Sequence, residues 1–207
     1  MVQTIPATNI NLYDLERKFD LHLVEGEQFF REWVDGLPEL TDLEKQQLDR
    51  VKASYFNLAK RPMLETTVKM VVLSPLLEMA DFYLSPFSIV AEKEVQISAE
   101  DDETIIKGRI DVLVIQNLLW ILVIESKRPS FSLEEGLPQA LAYMLANPSN
   151  DRPTFALVTN GSNFIFIKMS KQGTPQYATS YEFTLRRGDD LYIVLRILKR
   201  IRQVLIA

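Results

Sequence analysis

The sequence has 207 residues, of which 47% are hydrophobic and 25% are charged, proportions typical of a folded globular chain. This composition excludes a disordered or collagen-like chain, and the length favours one main domain. There is no cysteine and a single histidine, His22, so the chain offers no disulfide, no thiolate metal ligand and no imidazole cluster. Any catalysis must therefore depend on carboxylates, lysines, hydroxyl groups and a hard metal ion.

The formal net charge of −5 is unevenly distributed along the chain. Residues 1–103 carry 20 acidic and 10 basic side chains, whereas residues 104–207 carry 8 acidic and 13 basic ones. A uniformly acidic protein would repel nucleic acid, but a chain with a basic half need not, because the local field governs phosphate binding. The alternative is that the two halves attract each other.

The sequence carries no targeting or membrane signal. The N-terminus has neither the basic stretch nor the apolar run of a signal peptide. The most notable uncharged apolar stretch, residues 112–124, is shorter than the roughly 20 residues that a membrane-spanning helix needs. We therefore expect a cytoplasmic protein with no membrane contact.

Helical patterns dominate the first 60 residues. Leu12, Leu15 and Phe19 recur at helical spacing, and Thr41 with Glu44 fits a capping box that opens a helix through about residue 58. We expect residues 1–60 to form an accessory helical cap on a main domain of residues 61–207.

The main domain reads as an α/β fold. The patterns predict helices over 64–79, 133–146 and 189–205, and strands over 87–97, 105–115, 119–127, 154–159, 164–168 and 177–184. Asn160-Gly161 is a strong hairpin signal between two of these strands. The order predicts a sheet of mixed pairing flanked by helices, with the basic side chains of the last helix facing solvent.

Two strands carry charges among apolar residues. Asp111 lies in the second strand, and Glu125 and Lys127 lie in the third, where residues two apart share a face. Burying such charges costs several kcal/mol each unless they are paired or bound to metal. These positions are therefore candidates for function.

The pairing of these two strands decides whether the carboxylates can meet. A two-residue turn pairs residue 116 with residue 119, which puts Asp111 and Glu125 on opposite faces. A three-residue turn pairs residue 115 with residue 119 and puts Asp111 diagonal to Glu125 on one face, with their backbones roughly 7–8 Å apart. A shared metal ion therefore requires a loop with an odd number of residues or a bulge.

Several motifs together resemble a known nuclease superfamily. Asp111, thirteen intervening residues and Glu125-Ser126-Lys127 resemble the Asp…(Asp/Glu)-x-Lys signature of PD-(D/E)xK nucleases. Glu65 matches the acidic residue on their first core helix, and Gln139 with Tyr143 resembles the Gln-x-x-x-Tyr motif of the RecB-like branch. Over residues 63–160 the sequence is most similar to the nuclease domain at the N-terminus of type I restriction R subunits.

This resemblance implies a fold and an activity. The fold is restriction-endonuclease-like, an αβββαβ core with a mixed central sheet, and the activity is metal-dependent hydrolysis of DNA. Asp111, Glu125 and the Ser126 carbonyl would bind Mg²⁺ or Mn²⁺, with Glu65 acting through water. Lys127 would position the attacking water and stabilise the transition state.

The resemblance also implies supporting residues and partners. Gln139 would orient a ligand or the nucleic acid, Tyr143 would support Gln139, and Arg109 and Arg128 would contact the nucleic-acid backbone. The partners implied are DNA and either a second copy in a homodimer or a larger restriction or defence complex. No Walker-type phosphate-binding sequence occurs, so we expect no ATP-driven step from these residues.

Two other functions stay open. A catalytically silent member of the same fold would bind nucleic acid or a partner protein within a restriction-type complex, and Asp111 and Glu125 would then be structural ion pairs with Lys127 or Arg109. A plain interaction protein would use the acidic N-terminal region to dock a partner.

Overall fold

The computed structural model describes residues 3–26, 28–98, 104–116, 119–126, 129–130 and 132–206, with the backbone alone at 3, 119 and 121–126. The helices are α1 (Leu12–Phe19), α2 (Asp42–Leu58), α3 (Glu65–Val68), α4 (Ser74–Met79), α5 (Leu133–Leu145) and α6 (Asp190–Ile206). A 3-10 turn covers Ala7–Asn9, and a π-helical turn, Lys69–Leu73, joins α3 to α4. The strands are β1 (Gln3–Pro6), β2 (His22–Leu23), β3 (Phe87–Ser98), β4 (Thr104–Gln116), β5 (Leu119–Ser126), β6 (Thr154–Thr159), β7 (Asn163–Ser170), β8 (Gln176–Thr179) and β9 (Phe183–Thr184).

The described strands form one mixed sheet in the order β1-β4-β5-β6-β7-β8-β2, with β3 beside β4 and β9 beside β7. The pairs β3–β4, β4–β5 and β6–β7 are antiparallel, and β5–β6 is parallel. A parallel pair needs a crossover connection, and α5 supplies it between β5 and β6. The element order from α3 to β6 is therefore the αβββαβ order that was predicted.

Helices cover both faces of the sheet. In β6 the side chains alternate: Phe155 and Leu157 join an apolar cluster with α2, α4 and α6, whereas Ala156 and Val158 join a second cluster with α1 and α5. The central strand is buried on both sides, which explains its continuous apolar sequence. No helix in the described part of the chain combines the length and the apolar character that a membrane crossing requires.

The N-terminal region is only partly the helical cap that was predicted. Helices α1 and α2 are present, and Thr41 and Glu44 form the predicted capping box. However, β1 pairs in parallel with β4, and β2 pairs in parallel with β8, so this region also adds strands to the sheet. Two strands of four and two residues are too short to show a hydrophobic period, and distant partners form their hydrogen bonds. The domain boundary at residue 60 stays a prediction.

The uneven charge of the sequence produces ion pairs between its two halves. The Lys168 ammonium lies 2.6 Å from the Glu32 carboxylate, and both side chains are largely buried. Helix α6 supplies the base of three further pairs: Arg196 with Glu39, Lys199 with Glu44, and Arg202 with Asp81. In every one of these pairs the acid comes from the first half of the chain and the base from the second.

The expectation that the basic side chains of α6 face solvent is therefore wrong for these residues. The Arg196 guanidinium also donates hydrogen bonds to the carbonyl oxygens of Leu37 and Pro38. Backbone carbonyls in a segment without regular structure need such donors when they are packed against a helix. These side chains attach the segment before α2 to the C-terminal helix.

The contact between Lys199 and Glu44 makes a prediction about pH. Burial opposes ionisation of the Glu44 carboxylate, but hydrogen bonds from Lys199 and Thr41 outweigh it and lower the Glu44 pKa below its ordinary value. A group whose pKa is lower in the folded state adds stability above its unfolded pKa, and this stability disappears as pH falls through the folded-state pKa. We expect Lys199→Met to lower the free energy of unfolding by about 1–2 kcal/mol at pH 7. At about pH 3, which is closer to the lowered pKa of Glu44, the difference should shrink.

Urea unfolding of both proteins at the two pH values measures this difference. Lys45→Met, on the same helix as Glu44, is the control, because the Lys45 ammonium lies 3.8 Å from an almost fully exposed Asp42 carboxylate. Its effect should stay within about 0.5 kcal/mol at both pH values. An equal loss at pH 7 and pH 3 for Lys199→Met would contradict the assigned role of Glu44.

Candidate active site

Three carboxylates converge on one ammonium group at the side of the sheet. The Lys69 Nζ atom lies 2.7 Å from Asp111 Oδ1, 2.9 Å from Glu65 Oε1 and 3.5 Å from Glu92 Oε1. The side chains of Lys69 and Asp111 are only 19% and 13% exposed. We call these four residues the Lys69 cluster.

The helical segment before β3 places two members of the cluster. Glu65 is the first residue of α3, and Lys69 follows four residues later, so the two side chains lie on the same side of the helix. The π-helical turn begins at Lys69 and ends just before Ser74-Pro75. Pro75 lacks an N–H group, a wider turn precedes it, and the helical segment continues to Met79.

The charge of Lys69 is stabilised by its neighbours. Burial disfavours the ammonium form, but hydrogen bonds to Asp111 and Glu65 outweigh burial, and the pKa of Lys69 rises above its ordinary value. The ammonium ion is therefore positively charged at any ordinary pH. It acts as the counter-ion of the carboxylates around it.

Strands β3 and β4 are distorted where the cluster forms. Their ladder pairs Ala91 with Val112 and Lys93 with Ile110, but it lacks the pair between Glu92 and Asp111. Glu92 has a left-handed backbone with φ of 56°, which is uncommon for a residue other than glycine.

Side-chain packing shows the same distortion. Ile110 and Val112 would share a face of a regular strand, yet they pack in the clusters on opposite sides of the sheet. Strand β4 therefore rotates at Asp111. Irregular strands of this kind are frequent beside active sites, where they redirect a side chain.

The pairing of β4 with β5 includes the bulge that a shared site requires. Gln116 pairs with Leu119 and Ile115 pairs with Trp120, but beyond the bulge Val112 pairs with Ile124. Continued by one residue, this register places position 125 opposite position 111. The ladder ends at Val112 and Ile124, so the two candidate positions are the first residues beyond the paired part of the strands.

The Gln-x-x-x-Tyr motif lies in the core beneath the cluster. Gln139 and Tyr143 of α5 are buried, and the Gln139 side-chain amide donates a hydrogen bond of 2.7 Å to the Tyr143 hydroxyl oxygen. The same oxygen accepts a hydrogen bond of 3.2 Å from the backbone N–H of Arg109, two residues before Asp111. A Cβ atom at Gly108 would lie 2.6 Å from Tyr143, so only glycine leaves room for this contact. The motif thus holds the backbone of β4 beside Asp111.

The structure describes the remaining predicted residues unequally. Lys127 and Arg128 lie outside the described residues, and for Glu125 and Ser126 it gives the strand backbone, with Ser126 opposite Thr159 of β6. The Arg109 side chain is 63% exposed, and its Nε atom lies 2.7 Å from Glu92 Oε2. Assignment of these residues to catalysis or to DNA contact stays a prediction.

The donor atoms of the Lys69 cluster suit a hard divalent ion. Carboxylate oxygens are the ligands that Mg²⁺ takes in proteins, and here carboxylates from α3, β3 and β4 already surround one positive charge. Within the described ranges, no group of three or more Asp, Glu or His side chains has the arrangement of a metal site by itself. The carboxylates are spaced around the Lys69 ammonium.

Sequence reasoning missed two members of the cluster. Lys69 stands four residues after Glu65 on a helix, a spacing that favours an ion pair, and this signal was available. Glu92 gave no such signal. It lies in an alternating run of charged residues, and glutamate is not a residue that favours a left-handed backbone.

The comparisons with known proteins agree with this architecture. The sequence profile of one family, the type I restriction enzyme R protein N terminus, matches residues 28–174, which is more than half of the chain. The chain belongs to this family. Family membership and the observed αβββαβ order together confirm the restriction-endonuclease-like fold class. No curated protein matches the sequence.

A solved structure of a related kind also matches. It is a fragment ascribed to an HsdR subunit of a type I restriction enzyme from Vibrio vulnificus YJ016. The identity is 19% and the TM-score 0.42, and the match covers 67% of this chain and 26% of the solved one. The chain therefore corresponds to about a quarter of the protein chain that it matches.

The contact between Gly108 and Tyr143 makes a prediction about stability. In Gly108→Ala the new methyl group would lie 2.6 Å from the buried Tyr143 ring and 2.7 Å from the Ala7 methyl group. Crowding of this kind typically costs about 1–3 kcal/mol. We expect the free energy of unfolding to fall by that amount, measured by chemical denaturation. Lys107→Ala, at an exposed neighbouring position, should change it by less than about 0.5 kcal/mol. Equal effects of the two substitutions would show that the crowding is absent.

Proposed function

We propose that the chain is a metal-dependent nuclease domain that hydrolyses phosphodiester bonds in DNA within a restriction-type system. The observation that carries this proposal is the position of Asp111. It lies where β4 and β5 cease to pair, in a cluster of carboxylates around a cation. Extending the β4–β5 register by one residue would put position 125 opposite it. Membership of the type I restriction enzyme R protein N-terminus family supports the same function.

The predicted site residues would have separate roles in the reaction. Asp111, Glu125 and the Ser126 carbonyl would hold Mg²⁺ or Mn²⁺, and Glu65 would complete the ligand shell through water. When bound, the metal ion polarises the phosphodiester and lowers the pKa of a bound water molecule. Lys127 would position the attacking water and stabilise the negative charge that develops on the phosphorane.

Other residues would hold the site and the substrate. Tyr143 anchors the backbone of Arg109 and is itself bonded to Gln139, so this pair would orient the strand that carries Asp111. Arg109 and Arg128 would contact the phosphate backbone of DNA. A second copy of the chain or the other components of a restriction complex would be the protein partners, and the site requires no ATP.

One observation favours a catalytically silent module instead. The Lys69 ammonium already pairs with Asp111 and Glu65, so the carboxylates have a structural explanation that needs no metal ion. Such a module would bind DNA or a partner protein without cutting. The two functions differ in whether divalent metal ions support cleavage.

Cleavage assays distinguish the two functions. The protein is incubated with plasmid DNA and with single-stranded DNA in the presence of Mg²⁺, Mn²⁺ or EDTA. We expect metal-dependent cutting that falls at least about 100-fold in Lys127→Ala, because this residue would stabilise transition-state charge. Asp111→Asn should show a similar loss, because it removes a metal ligand.

Lys45→Ala is the matched control, since it removes one positive charge from α2. It should cut DNA at the wild-type rate. Folded protein that binds DNA but does not cut it under any condition would favour the silent module. Cutting that survives in both Lys127→Ala and Asp111→Asn would contradict the assigned site.

A further inference from the structure

The Lys69 ammonium lies where positive charge is needed in the proposed metal site. We propose that Lys69 is an internal cation that holds the carboxylates together in the metal-free protein, and that a divalent metal ion must displace it to bind. This inference rests on the proposed function, because it concerns the same carboxylates. Lys69 is a positioning residue here, since it acts on the metal ligands and not on the substrate.

The geometry of the cluster makes the two cations competitors. Asp111 Oδ1 lies 2.7 Å from Lys69 Nζ, and Glu65 Oε1 lies 2.9 Å from the same atom. A metal ion coordinated by Asp111 Oδ1 at about 2.0–2.1 Å would stand within about 5 Å of the ammonium group. A divalent ion and an ammonium group at that distance repel by about 2 kcal/mol in water and by several kcal/mol at a partly buried site. The metal ion and the Lys69 ammonium therefore cannot both bind these carboxylates strongly.

The metal-free protein needs a charge of this kind. Glu65, Glu92 and Asp111 come from α3, β3 and β4, and three ionised carboxylates around one point repel each other. The Lys69 ammonium changes the net electrostatic interaction from repulsion to attraction and holds the three elements together. Without it, the three carboxylates would repel one another more strongly.

The surroundings of Lys69 allow its side chain to move. An open cleft beside it is lined mainly by apolar side chains, among them Met70, Leu73, Ile89 and Val112. The same cleft includes Ser74 and Tyr83, whose hydroxyl groups lie 2.9 Å apart. A lysine has a flexible four-carbon stem, so the ammonium group can leave the carboxylates without unfolding the helix.

Metal binding without DNA tests the inference. Mn²⁺ and Mg²⁺ are titrated separately into the full chain, and their affinities are measured by calorimetry. Lys69→Met removes the competing charge, so we expect its affinity for Mn²⁺ to exceed that of the wild type at least about tenfold, which is about 1.4 kcal/mol. Lys69→Arg keeps the charge, and its affinity should stay within about threefold of the wild type. A lysine needed only for folding would not produce tighter metal binding when removed.

Thermal unfolding gives a second readout of the same competition. In EDTA, Lys69→Met should unfold at a lower temperature than the wild type, because it lacks the ammonium group that pairs with Glu65, Glu92 and Asp111. Saturating Mn²⁺ should raise its unfolding temperature more than that of the wild type, because ligand binding stabilises the folded state in proportion to affinity. Lys69→Gln keeps hydrogen-bond donors, and it replaces Lys69→Met in both assays if that variant does not fold.

Lys93→Met is the control for charge, because Lys93 is exposed on β3 next to Glu92. Its metal affinity should match the wild type within about twofold. Unchanged or weaker affinity in Lys69→Met and Lys69→Gln, with metal bound by the wild type, would overturn the inference and leave the proposed function intact. If neither the wild type nor any variant binds metal, the proposed metal site fails and the inference fails with it.

Discussion

A carboxylate that is largely withdrawn from water needs a positive charge beside it, and for Asp111 that charge is Lys69. The contact joins the helical segment 65–79 to the sheet, because Glu65 and Lys69 belong to that segment and Asp111 belongs to β4. Glu92 joins from β3 despite a backbone conformation that costs about 1–3 kcal/mol. Its contacts with Lys69 and Arg109 offset part of that cost. The local distortion of both strands is thus linked to one ammonium group.

Electrostatics also shapes the protein on a larger scale. Much of the acidic excess of the first half is paired with the basic excess of the second, at Lys168, Arg196, Lys199 and Arg202. These pairs join the segment before α2 and the end of α4 to the sheet and to α6. Arg196 and Lys199 would have to leave those contacts to bind phosphate. A net charge near −5 therefore describes the surface poorly, because many of the charges act between parts of the same chain.

Local signals in the sequence predicted the core elements well. The capping box of α2 and the Asn160-Gly161 turn between β6 and β7 are formed by nearby residues, so they can be recognised without the tertiary structure. Strands β1 and β2 were missed because distant partners hold them in the sheet. At the site, Asp111, Glu65 and Gln139 stand out as polar residues within apolar or helical patterns. The contacts of Lys69 with Asp111 and Glu92, and the left-handed backbone of Glu92, depend on three elements packing together, and no local pattern encodes them.

The bulge in the β4–β5 hairpin limits how this part of the sequence can vary in length. Gln116 pairs with Leu119, and one extra residue in β5 then shifts the register before position 125 is reached. A connection that is one residue longer, with no bulge, would also leave the side chains at positions 111 and 125 on the same face of the sheet. One insertion or deletion alone would put the two side chains on opposite faces, because successive side chains in a strand alternate between faces. Loop length and bulge should therefore change together among homologous sequences, whereas substitutions within the loop carry no such restriction.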